Sequence, residues 1–543
     1  MSKKIFVLFL VMALMVSSLA GCGNKAAEET GKQEPEQKAA EQPAEQPKEE
    51  TDKSKADKDL VVAVSATFIS MDPHDTNDTL SYSAQKTMMQ GLVGFDKDMN
   101  VIPVLAESYE SNEAATEFTF KLRQGVKFHD GTDFNAEAVK ANVDRLANPE
   151  NKLKRHSLFK IVDKTEVVDE FTVKVILKEP FGAMINTFAH PAAMMHSPKA
   201  LEAYGKEVSQ NPVGTGPFVF EEWVSGSHLK MVKNENYWKT GYPKVDSITF
   251  KPVKENGSRI AMLQTKEADF IYPVPPEQIK AINGKDGVIV ETNPSIIVRY
   301  LAMNTRKKPF NDVRVRQAIN YAINKKAFSK VVYNGLTEQM DSIIAPNTQY
   351  YSKQDSTYEF NLEKAKELMK EAGYENGFET EIWANNSSTT IRGLEFLQQQ
   401  LAQIGIKANL VPMESGTRLE RIWTVAKPEE AELQMYYGGW SPSTGDADWG
   451  IRPLFAGDSC PPNSYNTAYY NNPEADKWIK VGIATADTEK RKEAYEKVQE
   501  IIWNDAPWAF LSVDLTKAGR QDYLEGVYLL PDGSLSVEDA NVK

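Results

Sequence analysis

The sequence predicts an α/β protein of several lobes, on three observations. Short runs in which apolar and polar residues alternate, the mark of half-buried strands, are interspersed with segments of helical period. The 543 residues, 41% hydrophobic and 26% charged, are ample for a large core, and at about 150 residues per domain they imply three or four domains. No self-similar period of the solenoid kind recurs.

In chain order, Leu60 to Ala66 is a buried strand and Ser81 to Gln90 a helix. Phe118, Phe120 and Leu122 alternate with polar residues as a half-buried strand. Asn135 caps a helix running to Arg145, because its short side chain can accept from a first-turn N–H. Val173, Val175 and Leu177 form a second alternating strand. Phe218 to Trp223, Leu229 to Lys233 and Ile248 to Val253 continue this strand-rich half, followed by a helix from Glu255 to Thr265. Beyond Arg299 helices dominate: Val313 to Ala322, Leu362 to Ala372, Glu474 to Ala486 and Thr488 to Asp505. Ile382 begins a strand–helix–strand unit whose helix ends at Gly405 and whose second strand is Lys407 to Val411. Gly373 and Gly405 end their helices by supplying the left-handed position that side chains disfavour.

Composition excludes several function classes. Lys and Arg number 63 against 76 Asp and Glu, a net charge of −13, the reverse of the basic footprint a nucleic-acid binder needs. Two cysteines rule out a disulfide framework, a cysteine zinc cluster and a four-cysteine iron–sulfur site. The six histidines (His74, His129, His156, His190, His196 and His228) contain no i,i+4 pair. They are expected to be hydrogen-bonding side chains, so no metal and no cofactor is expected. There is no G-x-S-x-G nucleophile elbow and no phosphate-binding P-loop. An enzyme is therefore not expected, with an extracellular hydrolase as the alternative from a different class.

The N-terminus is an address. Lys3 and Lys4 precede an apolar run from Ile5 to Val16, followed by Leu19-Ala20-Gly21-Cys22. Twelve residues span only about 18 Å as a helix, too short for a bilayer of about 30 Å, so the run is a secretory signal and not an anchor. Leu-Ala-Gly-Cys resembles the bacterial lipobox, which implies cleavage after residue 21 and acylation of Cys22. Two or more acyl chains anchor a protein without a transmembrane helix. Residues 22–57 are Glu, Gln, Lys, Ala and Pro with no large apolar side chain. They are expected to stay disordered, a tether with a reach of roughly 33 Å. With Cys22 lipidated, Cys460 has no partner, and without a nearby His to activate it an inert buried thiol is expected.

Tyr436-Tyr437-Gly438-Gly439-Trp440-Ser441-Pro442-Ser443-Thr444-Gly445-Asp446-Ala447-Asp448-Trp449 is the densest aromatic segment. As a loop it offers flat apolar walls, hydroxyls, amides and carboxylates together, the combination a polar zwitterionic ligand needs. A structural turn that packs its aromatics into the core fits the spacing equally well.

Several segments carry a family resemblance. Leu105-Ala106-Glu107-Ser108-Tyr109, then Phe118 through Thr132 with its Gly125-Val126-Lys127-Phe128-His129-Asp130-Gly131, then Ala138-Val139-Lys140, resemble the hallmark of the solute-binding proteins of ABC importers, peptide/nickel type (family 5). Asn211-Pro212-Val213-Gly214-Thr215-Gly216-Pro217-Phe218 and Val313 through Asn324 extend the likeness over Asp59 to Lys543. Asp72-Pro73, Asn77-Asp78-Thr79-Leu80-Ser81, Leu153-Lys154-Arg155, Pro294-Ser295-Ile296 and Trp440 through Gly445 are most similar to the glutathione-binding members. The resemblance implies a three-lobed, periplasmic-binding-protein-like hinged trap of type II, cluster C, with mixed sheets. Lobe I would comprise 58–100, 212–295 and 510–543, lobe II 101–211 and lobe III 296–509, with two strands crossing between lobes I and III. It also implies a monomeric receptor that hands glutathione, or alternatively a di- or oligopeptide or another small polar ligand, to permease subunits served by cytoplasmic ATPases. His129-Asp130-Gly131 would then be a fold-marking turn, and Arg314 and Arg316 surface and packing residues.

In peptide-binding members an Asp three residues past the Gly-Trp tryptophan holds the peptide ammonium; here that position is Ser443. A neutral hydroxyl does not replace the charge, so Asp446 is the expected ammonium anchor, with Asp448 and Asp72 next. Trp440 is expected to supply apolar contact, and Ser443 and Thr444 hydrogen bonds. Glutathione has two carboxylates and one ammonium, a net charge of about −1. Arg299, in an apolar strand, is a candidate for one carboxylate, with an internal salt bridge as the competing reading. Arg155 is a second candidate and Arg392 a third.

Overall fold

The computed structural model describes residues 58–543. The signal segment, the lipobox Cys22 and the tether lie outside the described residues.

The largest unit is an eleven-stranded mixed sheet. Along it run Ile406–Met413, Phe378–Asn385, Met435–Trp440, Val288–Met303, Trp508–Gln521, Phe270–Tyr272, Asp59–Val64, Ser247–Pro252, His228–Lys233 and Phe218–Val224, with Thr337–Gln339 attached to Trp508–Gln521. Asp59–Val64 pairs parallel to a neighbour on both sides. Its sequence, Leu60-Val61-Val62-Ala63-Val64, is the near-continuous apolar run that a strand covered on both faces requires. Val288–Met303 and Trp508–Gln521 are the longest strands, 16 and 14 residues. They pair antiparallel in the middle of the sheet, the first also pairing with Met435–Trp440 and the second with Phe270–Tyr272. Their register slips between Pro294 and Val298 and again between Arg299 and Tyr300. Pro294 has no N–H to give the ladder, and the Ile296 N–H leaves it for the Pro531 carbonyl. Such irregularities bend and twist a strand pair, here midway between the two ends of the sheet.

A second, four-stranded antiparallel sheet is formed by Ala106–Ser111, Glu117–Leu122, Thr172–Leu177 and Val162–Asp169. Phe118, Phe120 and Leu122 turn inward with Val173, Val175 and Leu177 against the helix Ala136–Ala147. Burying each such side chain contributes about 1.5–3 kcal/mol. The Asn135 side chain caps that helix by accepting from the Ala138 N–H.

The expected strands and helices appear within a few residues of their predicted bounds. Gly373 and Gly405 have φ of +80° and +81°. One helix falls short: that expected to reach Ala486 ends at Ile483. There the Ile483 carbonyl accepts from the Gly182 N–H at 2.7 Å, a tertiary contact invisible locally. A side chain at 182 would sit 2.0 Å from the Thr485 carbonyl oxygen, so only glycine allows this approach. The segment from Tyr436 to Trp449 is not one loop. It is the strand Met435–Trp440, a tight turn, and the helix Ala447–Phe455. Cys460 is buried, and burial pushes its thiol up to about 11, the inert state expected of it. His129 bonds the Gly216 carbonyl through Nε2. Arg314 is exposed on Asp312, and Arg316 is buried against the Asp505 and Phe310 carbonyls.

Candidate functional site

A cleft of about 340 Å³ opens beside the strand Met435–Trp440. Its floor is that strand and the neighbouring Val288–Met303, where Arg299 lies opposite Gly439 and Tyr300 opposite Gly438. The rim comes from Asn385 and Thr390, from the helix Ser415–Trp423 that carries Arg418, and from Tyr465 and Thr467.

The two glycines make room and are not there for flexibility. A Cβ at Gly439 would stand 2.7 Å from Arg299 Nη1 and 2.9 Å from the Val298 carbonyl oxygen. One at Gly438 would stand 2.4 Å from the Tyr436 ring. Without side chains there, Arg299 and Tyr436 approach the strand backbone closely. Tyr300 underlies the floor, buried and stacked on Trp508 at 3.6 Å between ring centroids.

Two guanidinium groups line the cleft. Arg299 donates from Nε and Nη2 to Asp514 Oδ2 at 3.0 and 2.5 Å. Burial works against its charge, but the attraction of Asp514 prevails and holds the guanidinium protonated above its usual range. Arg299 is thus internally paired, as the competing sequence reading had it, and it also lines the cleft. Its Nη1 has no partner among the described residues. Arg418 donates from Nη1 to the Tyr436 hydroxyl at 2.9 Å. Its Nε is buried without a hydrogen-bond partner. No carboxylate side chain lines the cleft among the described residues.

Trp440 lines the same cleft, its ring 5.0 Å from that of Tyr465 and 5.8 Å from Trp449. Its indole N–H is already spent on the Trp449 carbonyl at 2.7 Å, so it offers ring face only. Ser443 and Thr444 are not among the lining residues. Ser443 closes a turn by donating its N–H to the Ser441 carbonyl. Thr444 is buried, and its carbonyl accepts from Asn186 Nδ2 at 3.2 Å.

Asp446 departs furthest from expectation. It is fully buried, and its two oxygens accept from Arg491 Nη2 and Nη1 at 2.9 and 3.0 Å. Oδ1 also caps the helix Ala447–Phe455 through the Asp448 N–H. A carboxylate with this many internal donors and no exposure has none left for a ligand ammonium. The two alternatives are engaged as well: Asp448 pairs with Arg452 at 2.8 and 2.7 Å, and Asp72 with Arg145 and His196. Arg155 lies outside the cleft. It donates from Nε to the Thr76 carbonyl and the Tyr82 hydroxyl, at 2.7 and 2.6 Å. Arg392 is exposed on its helix.

Asp72, His74 and His196 are buried with their ligating atoms within 4.8 Å of one another, a grouping that could hold a metal ion. Arg145 fills that role instead. Its Nη1 is 2.6 Å from His74 Nδ1 and its Nη2 2.7 Å from Asp72 Oδ2. His74 gives its Nε2 proton to the Met194 carbonyl, which leaves Nδ1 as the acceptor. A metal cation would have to displace a guanidinium already seated on these atoms.

Arg418 and Tyr465 are cleft residues that sequence reasoning missed. Arg418 sits in an amphipathic helix whose charges look like a solvated face, and only the tertiary fold brings it to the cleft that Arg299 also lines.

Residues 100–459 match the family described as bacterial extracellular solute-binding proteins, family 5. The chain is 47% identical over 488 residues to the glutathione-binding protein GsiB of Pectobacterium atrosepticum, covering 90% of this chain and 95% of that one. Among solved structures it is similar to HbpA2 from Haemophilus parasuis, with a TM-score of 0.81, 28% identity, and 89% and 100% of the two chains covered. It is also similar to the ABC transporter-associated periplasmic binding protein DppA from Helicobacter pylori in complex with the peptide STSA, with a TM-score of 0.72, 27% identity, and 89% and 98% covered. These likenesses agree with the three-lobed mixed α/β class.

Proposed function

Because the chain belongs to the bacterial extracellular solute-binding proteins, family 5, we propose that it is a receptor that captures glutathione outside the cytoplasmic membrane. It delivers the ligand to the permease of an ABC importer and is held to the membrane by acylated Cys22. The observation that carries the ligand reading is the presence of two guanidinium groups, Arg299 and Arg418, in a cleft with aromatic walls and, among the described residues, no lining carboxylate. Glutathione brings two carboxylates at neutral pH. Each would meet one guanidinium, Arg299, whose Nη1 remains free of its pairing with Asp514, or Arg418. The name of the 47%-identical relative supports the same ligand. Trp440 and Tyr465 provide ring faces for the peptide body. With the acidic residues of the Trp440 turn engaged elsewhere, the ligand ammonium rests against these rings, which attract cations through their quadrupole. Ser443 and Thr444 act by shaping the turn.

The test is calorimetric titration with glutathione. Removing one member of a desolvated charged contact typically costs about 2–5 kcal/mol, so Arg418→Ala is expected to weaken binding by roughly 30-fold or more. Wild-type affinity in that variant would refute the two-arginine reading. A short peptide with one carboxylate is expected to bind less tightly than glutathione; the opposite ranking would favour a general peptide receptor. Mass spectrometry of the incubated ligand separates receptor from hydrolase, since any turnover contradicts the receptor.

A further inference from the structure

A second cavity, of about 130 Å³, lies between the helix Thr79–Met88, residues 89–104, residues 189–194 and the C-terminal residues 530–538. It shares no lining residue with the glutathione cleft. Its wall is mixed, with Met89, Val93, Phe95, Ile102, Leu530 and Val537 as its main apolar side chains. Six polar side chains interrupt it: Gln90, Ser536 and Glu538, and the three groups Lys86, Asp532 and His190.

Lys86 forms no ion pair among the described residues. Its ammonium donates to Ser534 Oγ at 3.2 Å, and that hydroxyl donates to Asp532 Oδ1 at 2.7 Å. The cation and the carboxylate thus face one another through a hydroxyl without touching. An ammonium has three protons to place, and holding one in this wall on a single neutral acceptor is costly. Burial lowers the Lys86 pKa, against the attraction of Asp532. The third group is His190, 1% exposed. Its Nδ1 accepts from the Ala192 N–H at 3.0 Å, which puts the ring proton on Nε2. Nε2 has no partner among the described residues. Glu538, also at the wall, is already bonded to Lys239 and Tyr237. Among the described residues, the cavity therefore offers one cation and one carboxylate, Lys86 and Asp532, that are in no ion pair, and one neutral donor, His190.

We propose that this cavity binds a small free α-amino acid with an apolar side chain, its carboxylate on Lys86 and the His190 Nε2–H and its ammonium toward Asp532. A simple carboxylic acid would bring its charge against Asp532, and a simple amine would bring its charge against Lys86. Only a zwitterion complements both. An apolar cavity of about 150 Å³ admits a six-carbon ring, so the size suits alanine to valine.

Calorimetric titration of the full chain with L-valine, alone and with saturating glutathione, tests this. Saturable binding is expected in both conditions. Isovalerate and isobutylamine, which each lack one charge, are expected to bind at least about 10-fold more weakly, as is L-valine to Lys86→Met. Val537→Phe fills the cavity without removing a charge, is expected to abolish valine binding, and decides the matter where Lys86→Met fails to fold. No saturable valine binding to the wild type would overturn the proposal. So would isovalerate matching valine, binding that survives filling of the cavity, or valine displaced by glutathione, which would place it in the cleft. A failure of glutathione to bind leaves the valine result readable, so the two proposals fail separately.

Discussion

Asp446 owes its role to Arg491, 45 residues further along the chain. Both are almost wholly buried, 0% and 3% exposed. Cutting one partner from such a pair leaves an uncompensated charge and costs about 3–5 kcal/mol. Asp446→Ala is therefore expected to lower the denaturant midpoint strongly. Its effect on glutathione affinity is expected to stay within about 3-fold, because Asp446 does not touch the cleft. A variant as stable as wild type that has lost binding would restore Asp446 as a ligand contact. His74 makes a second prediction at this scale. Burial pushes its pKa from 6.5 down to about 3. Below 6.5 the unfolded chain takes a proton that the folded imidazole refuses until about 3, so stability falls as pH drops through that window. The slope is about 1.4 kcal/mol per pH unit for each such group. His74→Gln, which can still accept from Arg145, is expected to flatten the acid limb of the stability curve between pH 6 and 4. Chemical denaturation at stepped pH measures this, and an unchanged slope would show that His74 titrates freely.

The strand Met435–Trp440 shows how one element builds the cleft. Its alternation puts Tyr436, Gly438 and Trp440 on one face with Tyr300, and Tyr437 and Gly439 on the other with Arg299; residues of both faces line the cleft, and Tyr437 also packs on Phe328. Gly439 faces Arg299 closely enough that any side chain must move it. Gly439→Ala is expected to displace the guanidinium from Asp514 and the cleft. Glutathione binding should fall by roughly 10-fold or more, with about 1–3 kcal/mol lost from stability through overpacking. Unchanged calorimetry in that variant would mean that Arg299 does not touch the ligand.

At the scale of the whole molecule, the eleven-stranded sheet is continuous through two long strands whose register breaks at Pro294. We propose that the lobes predicted at 58–100 with 212–295 and 510–543, at 101–211 and at 296–509 move about this break, where the ladder is interrupted. The tether is a separate matter. Residues 23–57 lack the apolar side chains needed to join a core. Deleting them is expected to leave glutathione affinity in solution unchanged, whereas Cys22→Ala should move the protein out of the membrane fraction. Lost affinity in the deletion would contradict the leash reading.

By itself, the sequence determined the elements and the class. Period-two alternation at Phe118–Leu122 and Val173–Leu177, the Asn135 cap and the glycines at 373 and 405 act within a few residues, so local pattern suffices to read them. Trp440 and Arg299 were also legible as cleft residues, one from its aromatic surroundings and the other as a charge in an apolar strand. Only the tertiary structure decided which charges are free. Asp446 and Arg418 look alike in a one-dimensional chain, each a charged residue in a polar stretch. Burial and a partner 45 positions away commit Asp446 to Arg491, while the tertiary fold brings Arg418 to the cleft that Arg299 lines, its Nε unpaired among the described residues. Electrostatic pairing depends on distance through space, and distance along the chain does not report it.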